Sequence, residues 1–295
     1  MSADQRTILL TGVNGQVGFE LARSLQGLGK VVALARAGLD LSDLGQVRRV
    51  VRDVKPSLIV NPAAYTAVDK AESDVGAAMR INGEAPGVLA EEAKRLGAAL
   101  VHYSTDYVFD GTKDGAYVED DAVNPQNVYG RSKLAGEQAI VASGCDHLIF
   151  RTSWVYGTRG KNFLLTMLKL GAERDELSVV ADQIGAPTWS KTIAALTANV
   201  LAQSVTAEGQ WWKQNSGIYH LSAHGSTSWH DFAAAIFELI DTRKRPLLHA
   251  IPTASYPTPA KRPSSSRLSN DKLNLAFRLR SPDWKDALQL CMAER

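Results

Sequence analysis

Tyr129 and Lys133 stand four residues apart in Tyr129-Gly130-Arg131-Ser132-Lys133, inside a helical pattern that runs over 129–142. On a helix that spacing puts a phenol and an ammonium on one face. A free tyrosine titrates near about pH 10, too high for useful proton exchange at neutrality. An ammonium within about 4–6 Å favours the phenolate, typically by about 1–3 units. That brings the couple toward the range where it can act as a general acid or base. A Tyr-x-x-x-Lys pair arises by chance in many helices, so a third group is needed. Thr105, in Tyr103-Ser104-Thr105-Asp106-Tyr107, lies at the carboxyl end of a predicted strand, where substrates of open α/β sheets bind. Its hydroxyl can hydrogen-bond a carbonyl oxygen that is gaining charge. Ser104 reads equally well as a strand-end cap. Asn82 falls mid-helix, where an amide is a poor helix former, and reads as a buried hydrogen-bonding residue rather than a catalytic one.

A second constellation precedes this one. Gly12, Gly15 and Gly18, in Thr11-Gly12-Val13-Asn14-Gly15-Gln16-Val17-Gly18, follow the first apolar run and open a helix. Glycines there allow a tight turn and close approach of a pyrophosphate to the free N–H groups of the helix start, with Gln16 and Val17 in its first turn. No Gly-Lys-Ser/Thr follows, so this is not a P-loop. An NAD site places an acid about 20 residues on, to bind the ribose hydroxyls. Here that place reads Leu34-Ala35-Arg36-Ala37. Arg36 suits a 2′-phosphate, so NADPH is the expected cofactor, with NADH as the alternative. Asp40 and Leu41 would border the adenine. Ala64, Tyr65 and Thr66, just past the third predicted strand, would offer contacts to the cofactor.

The elements that must position these residues alternate. Predicted strands at Ile8–Leu10, Val31–Leu34, Leu58–Val60, Ala99–Tyr103 and Leu148–Phe150 are separated by helical patterns, among them 17–28, 74–96 and 129–142. Such alternation implies parallel crossovers: an α/β fold with a Rossmann-like doubly wound sheet. After about residue 153 the regularity loosens. Helices are expected near 162–173, 191–203 and 229–240, and a last one to about Met292 capped by Ser281-Pro282. The Pro- and Ser-rich segment Thr253–Ser266 cannot be regular structure, and a loop of that length is more often functional than decorative. The expected division is a dinucleotide-binding domain over 1–153 and a smaller, mainly substrate-binding lobe over 154–295, with some elements returning to the first domain.

These residues carry a resemblance to the extended short-chain dehydrogenase/reductase family. Within it, HYSTDYVFDG (102–111), NVYGRSKLAGE (127–137), FRTSWVYG (150–157), DQIGAPT (182–188) and YPTPAKRPSSSRL (256–268) resemble the dTDP-4-dehydrorhamnose reductases, in order and over nearly the whole chain. The resemblance implies reduction of the 4-keto group of dTDP-4-dehydro-L-rhamnose with a nicotinamide cofactor. It implies Tyr129 as proton donor, Lys133 as its partner and holder of the nicotinamide ribose, and Thr105 as the group that orients the carbonyl. On the same basis Asp106, Trp154, Arg262 and Ser264 meet the substrate, and Lys261, Arg262 and Arg267 suit its diphosphate. Related sugar-nucleotide dehydratases carry Thr-Asp-Glu where this chain has Thr105-Asp106-Tyr107, and so lacks their base. The regulatory β subunit of methionine adenosyltransferase shares much of the signature but lacks the tryptophan found here at position 154. Some members of the family are dimers bridged by Mg²⁺ through two glutamates. Glu20 matches the first, but the second position is Lys191, whose ammonium repels a dication, so no metal is expected there.

Composition bounds the rest. The 295 residues allow about two domains, and 45% hydrophobic with 22% charged residues is ordinary globular usage. Thirty-three basic against thirty-one acidic residues leave no electrostatic footprint for nucleic acid or an anionic membrane. Cys145 and Cys291 have no motif spacing and suit a reduced compartment. The start, MSADQRT, leads into an apolar run too short for a signal-peptide core, and no stretch reaches membrane-helix length. The expected partner is a small nucleotide sugar, for a cytoplasmic monomer or homodimer. The six histidines lack metal-ligand spacing and read as structural, and Trp211-Trp212 as a lid or surface anchor.

Overall fold

A computed structural model describes residues 6–206, 210–240 and 245–295, so the first five residues of the start read above lie outside the described residues. Its centre is a sheet of six parallel strands: β1 (Thr7–Leu10), β2 (Lys30–Ala33), β3 (Leu58–Asn61), β4 (Ala99–Thr105), β5 (His147–Thr152) and β6 (Gly217–His220). The spatial order is β6-β5-β4-β3-β1-β2, so the winding reverses between β1 and β3. At such a switch point the loops leaving the two strands diverge and open a crevice beyond their carboxyl ends. Sequence patterning foresaw five of these strands. It missed β6, a four-residue run that lies in the irregular second half and joins the edge of the sheet beside β5.

Alternate strand residues point to opposite faces, and each face meets its own helices. Ile8, Leu10, Val60, Val101 and Phe150 pack with Leu21 and Leu25, from α1 (Gln16–Ser24) and its end, and with Ile193 and Val200 of α6 (Ser190–Thr206). Leu9, Ile59, Leu100 and Ile149 pack with Val47 and Val51 of α2 (Leu44–Val54), Leu89 and Ala93 of α3 (Ala85–Leu96), and Ile140 of α4 (Val128–Ser143). A third core lies wholly beyond residue 155. It joins Tyr156, Leu164 of α5 (Phe163–Glu173), Phe232 and Ile236 of α7 (Trp229–Glu238), and Leu288 and Cys291 of α9 (Trp284–Ala293). Among the described residues no helix is long and apolar enough to cross a membrane.

Several local expectations need correction. The helical pattern over 74–96 is not one α-helix: a short helix at Val75–Met79 passes through a π-turn at Arg80–Glu84 into α3. Pro86 is the cause, because it has no N–H for the carbonyl of Asn82 four residues before it. Gly136 of α4 takes up the space, since a Cβ there would collide with that carbonyl. The last helix is capped by Asp283, whose carboxylate accepts from the Lys285 N–H at 2.9 Å, and Ser281-Pro282 precede the cap. The segment Thr253–Ser266 holds a 3₁₀ turn at Thr253–Ser255 and a two-residue strand, Ser265–Ser266, beside Ile184–Gly185. Trp211 and Trp212 are half-buried against the first core, with Trp211 beside Phe277 of α8 (Asp271–Phe277).

Glu92 ties α3 to α2. Its carboxylate is 2% exposed and meets Arg52 at 2.6 Å and Arg95 at 2.7 Å, which holds its pKa down at about 2, the Arg52 hydrogen bond being the largest cause. A carboxyl depressed by folding stabilises the fold above its unfolded pKa and loses that contribution as the pH falls through the folded value. Glu92→Gln should therefore lower the melting temperature at pH 7, and the gap should close between about pH 4.5 and pH 2. Thermal melts of both proteins across that range check this.

Candidate active site

The glycine turn sits where β1 feeds α1. Gly12 has φ +60°, and a Cβ on it would lie 2.8 Å from the Ala63 Cβ, so only glycine lets the turn close on the loop after β3. A Cβ on Gly18 would strike the Gly12 carbonyl, so that glycine seats the helix on the turn. Gly15 differs: its face is open apart from the Gly12 carbonyl oxygen at 3.2 Å, and it caps α1 with no side-chain hydrogen bond. The open face and uncapped N–H groups of Gln16 and Val17 fit a diphosphate. The Gln16 side chain is turned toward the start of α5, where its Oε1 accepts from Asn162 at 2.8 Å.

Past β2, Arg36 is largely exposed and pairs with Asp40 at 3.3 Å. Asp40 also accepts from the Ser42 backbone and hydroxyl, the main reasons its pKa is lowered, while Leu41 is buried in the core. The loop after β3 is pinned from above. Asn82 is buried, accepts from the Tyr65 N–H at 2.8 Å, and donates to the Tyr65 carbonyl and the Ser132 hydroxyl, each at 3.0 Å. It thereby fixes the run Ala64-Tyr65-Thr66 against α4.

Thr105, Tyr129 and Lys133 come together at the carboxyl end of β4. Asn127 caps α4 by accepting from the Gly130 N–H at 2.8 Å, and a Cβ on Gly130 would collide with the Tyr107 carbonyl, so the helix start is pressed onto the strand end. Thr105 donates to Asp106 at 3.0 Å, and the Ser266 hydroxyl donates to the other carboxylate oxygen. Asp106 is thus enclosed between two hydroxyls rather than open to a ligand. Burial pushes its pKa up to about 6 against those two hydrogen bonds. Tyr129 lies edge-on to Tyr107, with ring centroids 5.6 Å apart. Its pKa is raised, first by desolvation and then by the Asp106 charge, with Thr105 opposing through a hydrogen bond. This corrects the expectation that the lysine would draw the phenol down: the dominant influences on Tyr129 keep it neutral.

Lys133 is engaged elsewhere. It is 1% exposed, donates to the Tyr103 carbonyl at 2.5 Å, and lies 3.0 Å from Nε2 of His102. Burial brings its pKa down to about 8, with Glu137 acting the other way from the next turn. Arg151 grips Glu137 through two hydrogen bonds, at 3.0 and 2.7 Å. His102, read from the sequence as merely structural, touches the lysine. Alternation along β4 could have flagged it, since position 102 shares a face with Ser104 and Leu100, one step from Tyr103.

Just past β5, Trp154 has φ +49°, a strained conformation for a bulky residue. Its indole is wedged between Gly185, where a Cβ would sit 2.5 Å from the ring, and Trp229, stacked at 3.5 Å between centroids and 8°. Trp229 donates from Nε1 to Gln183 at 3.2 Å. The sequence singled out Trp154 but not Trp229, which comes from a distant helix. Arg262 reaches Asp69 at 2.7 Å and the Tyr107 hydroxyl at 3.3 Å. Ser264 donates to the Gly111 carbonyl at 2.7 Å, Lys261 reaches Gln126 at 3.3 Å, and Arg267 donates to the Ser265 hydroxyl at 3.2 Å. Of the four, Arg262 is the one hydrogen-bonded to a residue beside Tyr129. At the position considered for a metal, Lys191 pairs with Glu294, and its charge faces Glu20.

A doubly wound parallel sheet with a glycine turn at β1 and Thr105, Tyr129 and Lys133 at the end of β4 defines a nicotinamide-dependent oxidoreductase of the extended short-chain dehydrogenase/reductase class. The family model described as the RmlD substrate binding domain matches residues 6–295. The dTDP-4-dehydrorhamnose reductase of Burkholderia thailandensis is 52% identical, over 97% of this chain and 98% of its own. That of Escherichia coli K12 is 45% identical over 97% of each. The crystal structure of dTDP-4-dehydrorhamnose reductase from Bacillus anthracis in complex with NADP superposes with a TM-score of 0.91 at 36% identity, covering 99% of this chain and 100% of that one. The chain belongs to the dTDP-4-dehydrorhamnose reductase family.

Arg36 tests the cofactor side. If Arg36 faces the adenine ribose, Arg36→Asp puts a carboxylate that repels a 2′-phosphate and accepts from ribose hydroxyls there, so preference should move from NADPH toward NADH by about tenfold or more. The ratio of kcat/KM for the two cofactors is the measurement, and an unchanged ratio would show that Arg36 does not face the ribose.

Proposed function

We propose that this protein reduces the 4-keto group of dTDP-4-dehydro-L-rhamnose with NADPH, giving dTDP-L-rhamnose for cell-surface polysaccharide. The observation that carries this reading is the meeting of Thr105, Tyr129 and Lys133 at the end of β4, at the same sheet edge as the open glycine turn. Gly12, Gly15, Gln16 and Val17 hold the diphosphate of the cofactor, Arg36 its 2′-phosphate, and Asp40, the backbone at Leu41 and the run Ala64–Thr66 its flanks. NADPH supplies the hydride to carbon 4 of the sugar.

The chain's own residues then complete the reduction. Tyr129, kept neutral by desolvation and Asp106, donates its proton to the carbonyl oxygen as charge develops there. Lys133 stabilises the phenolate left behind. Thr105 orients the carbonyl, with Asp106 holding the threonine in place. Trp154, stiffened by Trp229 and Gly185, forms a flat wall for the sugar ring. Lys261, Arg262, Ser264 and Arg267 bind the substrate diphosphate, Arg262 by sharing its guanidinium with Asp69. The same reading makes the protein a cytoplasmic enzyme, monomeric or homodimeric, that needs no metal for hydride transfer.

Two other readings are tested alongside. A dehydratase needs a base beside the carbonyl, but burial pushes the Tyr107 phenol up to about 12 and its hydroxyl meets Arg262. A regulatory subunit would bind NADPH without turning it over. Purified protein should therefore oxidise NADPH with dTDP-4-keto sugar in preference to the UDP analogue, at the same rate in EDTA, with no partner added. Binding of NADPH with no turnover of authentic substrate would favour the regulatory reading. Tyr129→Phe should keep NADPH affinity while turnover falls by about 10²–10⁴-fold, the scale of a lost general acid. Wild-type turnover in that variant would remove Tyr129 from the role of proton donor.

A further inference from the structure

His102 is nearly fully enclosed and stands between Lys133 and a chain of polar groups that crosses three strand ends. Its Nε2 lies 3.0 Å from the Lys133 amine and its Nδ1 3.1 Å from the Asn61 amide. The amide end that faces the ring is Asn61 Nδ2, and Asn61 Oδ1 accepts from the Thr11 hydroxyl at 2.7 Å, which itself accepts from the Ala63 N–H at 3.4 Å. Thr11 immediately precedes Gly12, so the chain connects the lysine on α4 to the glycine turn after β1. Thr11, Asn61, His102 and Lys133 are each no more than 1% exposed.

We propose that His102 is a positioning residue for Lys133, a neutral imidazole that holds the ammonium on a bare Nε2 and is itself locked by Asn61 and Thr11. The inference rests on the reading of Lys133 as the partner of Tyr129.

The chemistry fixes the protons. An ammonium donates and cannot accept, so the imidazole nitrogen facing it must carry the lone pair. The ring proton then sits on Nδ1. The structure sets Asn61 Nδ2 against that nitrogen and Asn61 Oδ1 against the Thr11 hydroxyl, so the assignment requires the Asn61 amide to be turned over, with its carbonyl oxygen accepting from Nδ1 and its NH₂ donating to Thr11. A protonated imidazole is excluded, since it would face the ammonium with a second positive charge. In agreement, burial and the Lys133 charge hold the ring pKa well below its usual value.

Without His102 the ammonium keeps one acceptor, the Tyr103 carbonyl. Three other groups face it or its neighbours: Glu137 one turn on, already engaged by Arg151 of β5; Tyr129 one turn back; and Asp106, whose charge acts on Tyr129. None of them supplies the missing hydrogen bond. Loss of an acceptor from a buried charge disfavours that charge, so the lysine should give up its proton at a lower pH.

The test uses the full-length protein, its His102→Leu variant and its His102→Gln variant, whose amide oxygen can accept from the lysine. For His102→Leu, kcat at pH 7 should fall by about 10- to 100-fold, as expected when a charge-assisted hydrogen bond is lost, while NADPH affinity changes far less. The alkaline limb of its kcat profile should move to lower pH by about one unit, and His102→Gln should restore the limb. A wild-type profile in His102→Leu, or an equal loss in both variants with an unmoved limb, would overturn the proposal. Nitrogen-15 NMR of the wild-type protein gives an outcome independent of turnover and of how the variants fold. It should show His102 neutral at pH 7 with its proton on Nδ1, and a proton on Nε2 would refute the assignment. If Tyr129→Phe were fully active while the NMR result held, the reading of the reaction would fail and the lysine–histidine contact would stand.

Discussion

Burying an ammonium is the constraint around which this site is built. Removing Lys133 from water disfavours its charge, and its pKa comes down to about 8 although the Glu137 charge acts the other way. The charge survives near neutrality because the Tyr103 carbonyl, the His102 ring and the Glu137 carboxylate surround it. Each comes from a different requirement of the fold. The carbonyl is available because the pairing of β4 with β3 stops at His102, the imidazole because alternation along β4 turns it inward, and the carboxylate because it lies one turn further along α4. A parallel sheet covered on both faces supplies that dry interior, and its carboxyl edge supplies the opening.

The same desolvation sets the chemistry of the neighbours. It raises Tyr129, raises Asp106 to about 6, and raises Tyr107 to about 12. A phenol held neutral is prepared to give a proton and is a poor base, which suits reduction of a carbonyl better than abstraction of a proton beside one. Asp106 works on Tyr129 through its field and on Thr105 through a hydrogen bond, so one carboxylate biases the donor and orients its partner. Across the cleft, Trp154 is held in a left-handed backbone conformation that costs about 1–3 kcal/mol, and packing between Gly185 and Trp229 sustains it.

What the sequence shows of this arrangement is what local pattern can show. Five strands are legible because parallel strands buried on both faces read as short apolar runs. β6 is not, because four residues with two polar or small ends carry no periodicity, and its place depends on β5. The π-turn at Arg80–Glu84 escaped a reading based on a 3.6-residue period, although Pro86 is its visible cause. Asp283 rather than Ser281 caps α9, two capping residues separated in sequence only by Pro282. Thr105, Tyr129 and Lys133 are legible from type and spacing. The contact of His102 with Lys133 spans 31 positions and that of Asn61 with His102 spans 41, distances at which no local rule operates. The stack of Trp154 on Trp229 is hidden for the same reason. Spacing alone places Lys133 to draw the Tyr129 phenol down, but in the folded chain desolvation and the Asp106 charge raise it.

The central claim is that this chain alone delivers a hydride to carbon 4 of a thymidine-linked keto sugar and a proton to its oxygen. Stereospecifically deuterated NADPH and dTDP-4-dehydro-L-rhamnose, incubated with the purified protein and no partner, test it most directly by NMR and mass spectrometry of the sugar nucleotide. The account predicts one deuterium at carbon 4 of dTDP-L-rhamnose for each NADPH consumed. Unlabelled substrate recovered from protein that demonstrably binds NADPH would contradict it.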